Sequence, residues 1–92
     1  DAIELAALYP NPAVTHSTLS FTLRGEGSLS VVVRNVLGAE VWRYDVADGA
    51  RGSYAVLLPV SALPSRAYHC EVQLRSAGGL VATKSLTFTV AH

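Results

Sequence analysis

Tyr68-His69-Cys70-Glu71-Val72-Gln73-Leu74-Arg75, followed at once by Ser76-Ala77-Gly78-Gly79, decides the fold class. Tyr68, Cys70, Val72 and Leu74 occupy every second position, and polar or charged residues fill the gaps. Successive side chains of a strand point to opposite faces, so this spacing puts one apolar row inward and one polar row outward. A helix would need apolar residues three and four apart, and no window supplies that stripe. The segment after Arg75 reads as a hairpin turn, with paired glycines supplying the positive φ of a tight reversal.

The same two-residue rhythm runs outward in both directions. Leu19, Phe21 and Leu23 alternate with Ser20 and Thr22, and Leu29, Val31 and Val33 with Ser30, Val32 and Arg34. Tyr54, Val56 and Leu58 alternate with Ala55 and Leu57, and Leu86, Phe88 and Val90 with Thr87 and Thr89. Turn signals separate these runs: Pro10-Asn11-Pro12, Gly25-Glu26-Gly27, Asn35-Val36-Leu37-Gly38 and Asp48-Gly49-Ala50-Arg51-Gly52. One short turn near Val60–Leu63, stopped by Pro64, is the only helical signal. Trp42 and Tyr44 share one strand face, and Val41 and Arg43 the other; area favours Trp42 at least half buried. Short strands with turns roughly every 8–12 residues predict an all-β chain: an immunoglobulin-like antiparallel β-sandwich of about seven strands. Residues 1–92 read as a single domain, with 1–7 a linker or the first strand.

Composition narrows the partners. The 92 residues carry seven basic and seven acidic side chains, 50% hydrophobic residues and 15% charged ones. A neutral chain offers no electrostatic footprint for nucleic acid, and no polybasic cluster points to anionic lipid. No apolar stretch approaches the ~20 residues needed to span a bilayer, so direct membrane insertion is not expected. The N-terminus lacks the pattern of an export signal, and its abrupt start suggests a module cut from a longer protein.

Residues that could carry chemistry are scattered. Cys70 is the single cysteine, so no intrachain disulfide and no cysteine-based metal site can form. His69 adjoins it in sequence, but neighbours on a strand diverge to opposite faces, which leaves Cys70 a small buried hydrophobe and His69 facing solvent. His16, His69 and His92 have no ligand spacing. Asp45 and Asp48 flank a turn and supply only two carboxylates, too few for calcium. Gly25-Glu26-Gly27 is followed by no helix and cradles no phosphate. The expectation is a protein that is not an enzyme and uses no cofactor or metal.

Four segments together resemble the type A C-terminal sorting domain of the type IX secretion system of Bacteroidetes. Leu8-Tyr9-Pro10-Asn11-Pro12-Ala13 is similar to the family's opening Y-P-N-P-A motif. Asn35-Val36-Leu37-Gly38-Ala39-Glu40-Val41 is similar to D-x-x-G-x-x-V, with Asn in place of Asp. Leu63 to Tyr68 resembles L-x-x-G-x-Y but contains no glycine, and Thr83-Lys84-Ser85-Leu86 resembles the closing K-x-x-x-V strand. The resemblance spans Leu8 to Val90 and makes Tyr9, Pro10, Asn11, Pro12, Asn35, Gly38, Val41, Tyr68 and Lys84 the motif residues. Physically, the prolines are expected to give a stiff lead into the first paired strand, with Tyr9 packing its ring.

The resemblance implies an exported protein: periplasmic in transit, then at the cell surface or outside the cell. Its implied partners are a covalently linked N-terminal cargo, an outer-membrane shuttle protein and a sortase-like protease that removes the domain. Its last hairpin, through Tyr68, Val72, Gly78, Gly79, Lys84 and Phe88, is the candidate recognition surface, because the family's sorting information lies near the C-terminus. Strand addition at a sheet edge is the matching mode of recognition, and a homodimer through an edge strand fits the same physics. The alternative is an immunoglobulin-like or fibronectin-like accessory or carbohydrate-binding module, with Trp42 or Tyr44 joining Tyr54 as an aromatic platform.

Overall fold

The alternating segments become strands in the computed structural model, which describes residues 2–92 apart from the side chains of Leu5 and Ala6. The strands are β1 (Ile3–Tyr9), β2 (Ser17–Leu23), β3 (Gly27–Arg34), β4 (Glu40–Gly49), β5 (Gly52–Leu58), β6 (Arg66–Ser76) and β7 (Gly79–Val90). A single 3-10 turn, Val60–Ala62, lies where the one helical signal was expected. Residues 3–7 thus belong to a strand rather than a linker. Asp1 lies outside the described residues.

Two antiparallel sheets form the sandwich, one ordered β1-β2-β5 and the other β4-β3-β6-β7. Constant-type immunoglobulin domains place their fourth strand in the first sheet. Here β4 stays beside β3, because Asn35–Gly38 closes a tight hairpin with a Gly38 N–H to Asn35 carbonyl bond of 2.9 Å. The chain changes sheets instead between β2 and β3, between β4 and β5 and between β5 and β6. β6 and β7 pair from Arg66↔Val90 to Ser76↔Gly79, which leaves Ala77-Gly78 as the turn. Of the two glycines only Gly79 has a positive φ, +118°, so the reversal relies on it and not on the pair.

The inward rows of both sheets make one core. Leu19, Phe21, Leu23, Leu29, Val31, Val33, Tyr68, Val72, Leu74 and Phe88 are all essentially buried. Each such large side chain contributes about 1.5–3 kcal/mol through removal of apolar surface from water. Phe21 stacks on Tyr54 at 5.2 Å between ring centroids, and Tyr68 on Phe88 at 5.8 Å, within the range where aromatic pairs attract. Trp42 faces inward and is half buried, because β4 is an edge strand and cannot be covered on both sides.

Three expectations are corrected. Val32, placed by alternation in the outward polar row, is fully buried on the outer face of its sheet. It sits on an inner strand between Arg43 and Glu71, whose aliphatic stems can cover it while their charges stay wet. The Tyr9–Ala13 motif does not lead into the first paired strand. It follows β1 and carries the chain from one sheet to the edge of the other, where Ala13 bridges Val90 in parallel. Tyr9 does not pack its ring and is 78% exposed.

Candidate functional site

Pairing registers bring the motif segments to one end of the sandwich. Arg34 lies opposite both His69 and Glu40, Tyr9 opposite Thr18, and Val90 opposite Arg66. The turns carrying Tyr9–Ala13, Asn35–Gly38 and Leu63–Tyr68 therefore lie at the same end as the last residues of β7. Lys84 does not join them; it lies opposite Val72 midway along the hairpin, half buried. Gly78 and Gly79 lie at the far end of the molecule.

Most motif residues at this end hold backbone in place. The Pro10 carbonyl accepts the hydroxyl of buried Ser17 at 2.9 Å. Asn11 Oδ1 accepts the Thr89 N–H at 3.1 Å. Ala13, fully buried, donates to the Thr89 carbonyl at 2.7 Å and accepts from the Ala91 N–H at 2.8 Å. Asn35 Oδ1 accepts the N–H groups of Leu37 and Ala39, both at 3.0 Å, and Gly38 adopts φ +85°. Asn can replace Asp here because either side chain offers an acceptor oxygen to a turn. Val41 lies at the β3–β4 register shift and is 37% exposed.

Tyr68 anchors the start of β6. Its ring is buried and its hydroxyl donates to the Pro64 carbonyl four residues upstream at 2.6 Å. This is the tyrosine corner of immunoglobulin-type sandwiches. Cys70 follows two residues later, where antibody domains place a disulfide cysteine, and this chain has no second cysteine. Burial, assisted by the charge of Glu71, pushes the Cys70 thiol up to about 12, so it stays protonated at neutral pH and is a poor nucleophile.

Sequence reasoning missed two features here. The His92 ring lies against two backbone carbonyls, Nδ1 at 3.0 Å from Val14 O and Nε2 at 2.8 Å from Leu63 O, and the His92 N–H donates to Ser65 Oγ at 3.1 Å. No periodic signal marks a residue beyond the last strand. The other is a groove of about 220 Å³ between the open edges of the two sheets, lined by Trp42, Tyr44, Ala55, Val56 and Leu57. Only the strand order, which alternation does not reveal, puts β4 and β5 at the edges that border it. Trp42 and Tyr44 stack there at 6.3 Å. Tyr54 is not a third platform ring; it packs on Phe21, and its hydroxyl donates to the Ala50 carbonyl at 2.6 Å.

Of the expected recognition hairpin, Tyr68, Val72 and Phe88 are core residues, whereas Gly78 and Gly79 are exposed and Lys84 is half buried. A second hollow, of about 480 Å³ at the far end, holds the carboxylates of Glu26 and Asp48. Among the described residues no three His, Cys, Asp or Glu side chains gather to hold a metal ion. Among the same residues no helix is long and apolar enough to cross a membrane.

The chain is a two-layer antiparallel sandwich whose motif residues brace its turns and whose one thiol is sealed in the core. Residues 7–87 match the family described as the secretion system C-terminal sorting domain. The chain belongs to that family and is a C-terminal sorting signal of the type IX secretion system, which makes it part of a secreted protein that crosses the outer membrane. The family is one of sorting signals and not of enzymes. Comparison with curated proteins and with solved structures returns no match.

Proposed function

We propose that this domain works as a folded address label on an N-terminal cargo. It is recognised in the periplasm by an outer-membrane shuttle protein and removed at the surface by a sortase-like protease, and it has no catalytic activity of its own. The observation that carries this is the family match over residues 7–87, together with the convergence of the motif segments on one end of the sandwich. The hairpin β6–β7 would be read through the edge of β7 ahead of the Ala13 bridge at Val90, the outward threonines Thr83, Thr87 and Thr89, and the half-buried Lys84 midway along it. Exposed edges accept a partner strand through backbone hydrogen bonds, with side chains supplying selectivity.

Fusing residues 1–92 behind a fluorescent reporter that carries its own inner-membrane export signal, in a host with this secretion machinery, tests the proposal. Surface or extracellular reporter is expected, and a reporter held in the periplasm refutes it. Truncation at Thr83 would not isolate recognition, because it also removes Phe88 and Val90 from the core. Exchange of Thr83, Thr87 and Thr89 for lysine leaves the core intact and is expected to retain the reporter in the periplasm. Normal surface delivery of that variant rejects the hairpin as the surface read.

A further inference from the structure

We propose that the free edge of β5 pairs with β5 of a second copy, antiparallel about a two-fold axis, and joins two three-stranded sheets into one of six. Four strands end the two sheets: β1, β5, β4 and β7. An edge strand is a template for pairing unless charge, a bulge or a covering segment blunts it. β1 carries Glu4, paired with Arg24, and a register shift between Leu5 and Ala7. β4 carries Glu40, Arg43 and Asp45 and two register shifts against β3. β7 carries Lys84 and is bridged at Val90 by Ala13.

β5 has none of these devices. Gly52-Ser53-Tyr54-Ala55-Val56-Leu57-Leu58 contains no charge and no proline, and it pairs with β2 in unbroken register. Its Leu57 is 59% exposed beside the groove of Trp42 and Tyr44.

Self-pairing suits this strand in particular. Aligned end to end, residue 55 meets itself on the axis, Ser53 meets Leu57 and Tyr54 meets Val56, with no like charges opposed. Isologous contacts of this kind close after two copies. The whole chain has zero formal charge, so no net repulsion holds copies apart. Size sets the strength. A seven-residue edge is about 23 Å long and the layers lie about 10 Å apart, so with overhanging side chains the contact covers on the order of 400 Å² per copy. That is below the standard interface and predicts weak, reversible dimerisation, micromolar or weaker.

Sedimentation and hydrogen exchange on the purified domain, between about 10 µM and 1 mM, test this independently of sorting. A concentration-dependent dimer is expected, with amides of Ser53–Leu57 gaining protection as it forms. The variant Ser53→Lys, Ala55→Lys, Leu57→Lys changes only exposed positions and opposes like charges at three pairs. It should dimerise about tenfold more weakly, as should its all-glutamate counterpart. Mixing the two should restore pairing, which also shows that both have folded. A monomer at every concentration overturns the proposal and leaves this edge to a strand from another protein. Lysine and glutamate variants that dimerise like the parent also overturn it, as does a dimer with no protection at β5.

Discussion

Replacing Tyr68 by phenylalanine isolates the hydroxyl that closes the corner at the start of β6. The ring stays in the core and keeps its stack on Phe88, so the loss is confined to the 2.6 Å bond to the Pro64 carbonyl. Such a bond contributes about 1 kcal/mol net, because folding exchanges it for bonds to water. Pro64 is exposed, so its carbonyl can recover a water partner and no buried-acceptor penalty is added. For a domain of this length about 1 kcal/mol lowers Tm by roughly 4–8 °C. Tyr68→Ala removes the ring as well and should cost about 3–5 kcal/mol. Urea unfolding followed through the fluorescence of Trp42, the single tryptophan, measures both variants. The slope against denaturant should not change for Tyr68→Phe. A loss below about 0.3 kcal/mol would show that the corner contributes nothing. A loss equal to that of Tyr68→Ala would show that the hydroxyl, not the ring, organises this end.

Cys70 should resist thiol reagents in the folded protein and react once it unfolds. Its folded pKa, near 12, lies above the unfolded value, so the unfolded chain loses its proton first. Stability should therefore be unaffected below about pH 8.5 and fall as pH rises toward 12, by about 1.4 kcal/mol per pH unit, and Cys70→Ala should flatten that slope. Asn35→Ala removes an acceptor shared by two turn amides and should cost about 1 kcal/mol in chemical denaturation, whereas Asn35→Asp keeps the acceptor and most of the stability.

Alternation was enough to place β2, β3, β5, β6 and β7 because each sheet has one buried face, and a strand slipped by one residue would expose its whole apolar row. It also separated Cys70 from His69, which are buried and exposed as expected. It failed where sheet position matters more than polarity. Val32 and Leu57 are both aliphatic and both on outer faces, yet one lies on an inner strand and is sealed while the other lies on an edge and is bare. Strand order is set by which segments pair across long sequence distances, and no local pattern encodes it. The motif segments were legible one by one as turn chemistry. Their meeting at a single end was not, since Asn11 and Thr89 are joined by a bond across 78 residues.

That bond, with the bridge from Ala13 to Val90, has a consequence for the order of events in the cell. The contacts that seal this end need nearly the last strand to be made, and closing such distant contacts is slow. A ribosome must therefore deliver all six earlier strands before the domain is able to lock shut. Until β7 joins them, Asn11 and Ala13 have no strand to close against and this end of the sandwich stays open.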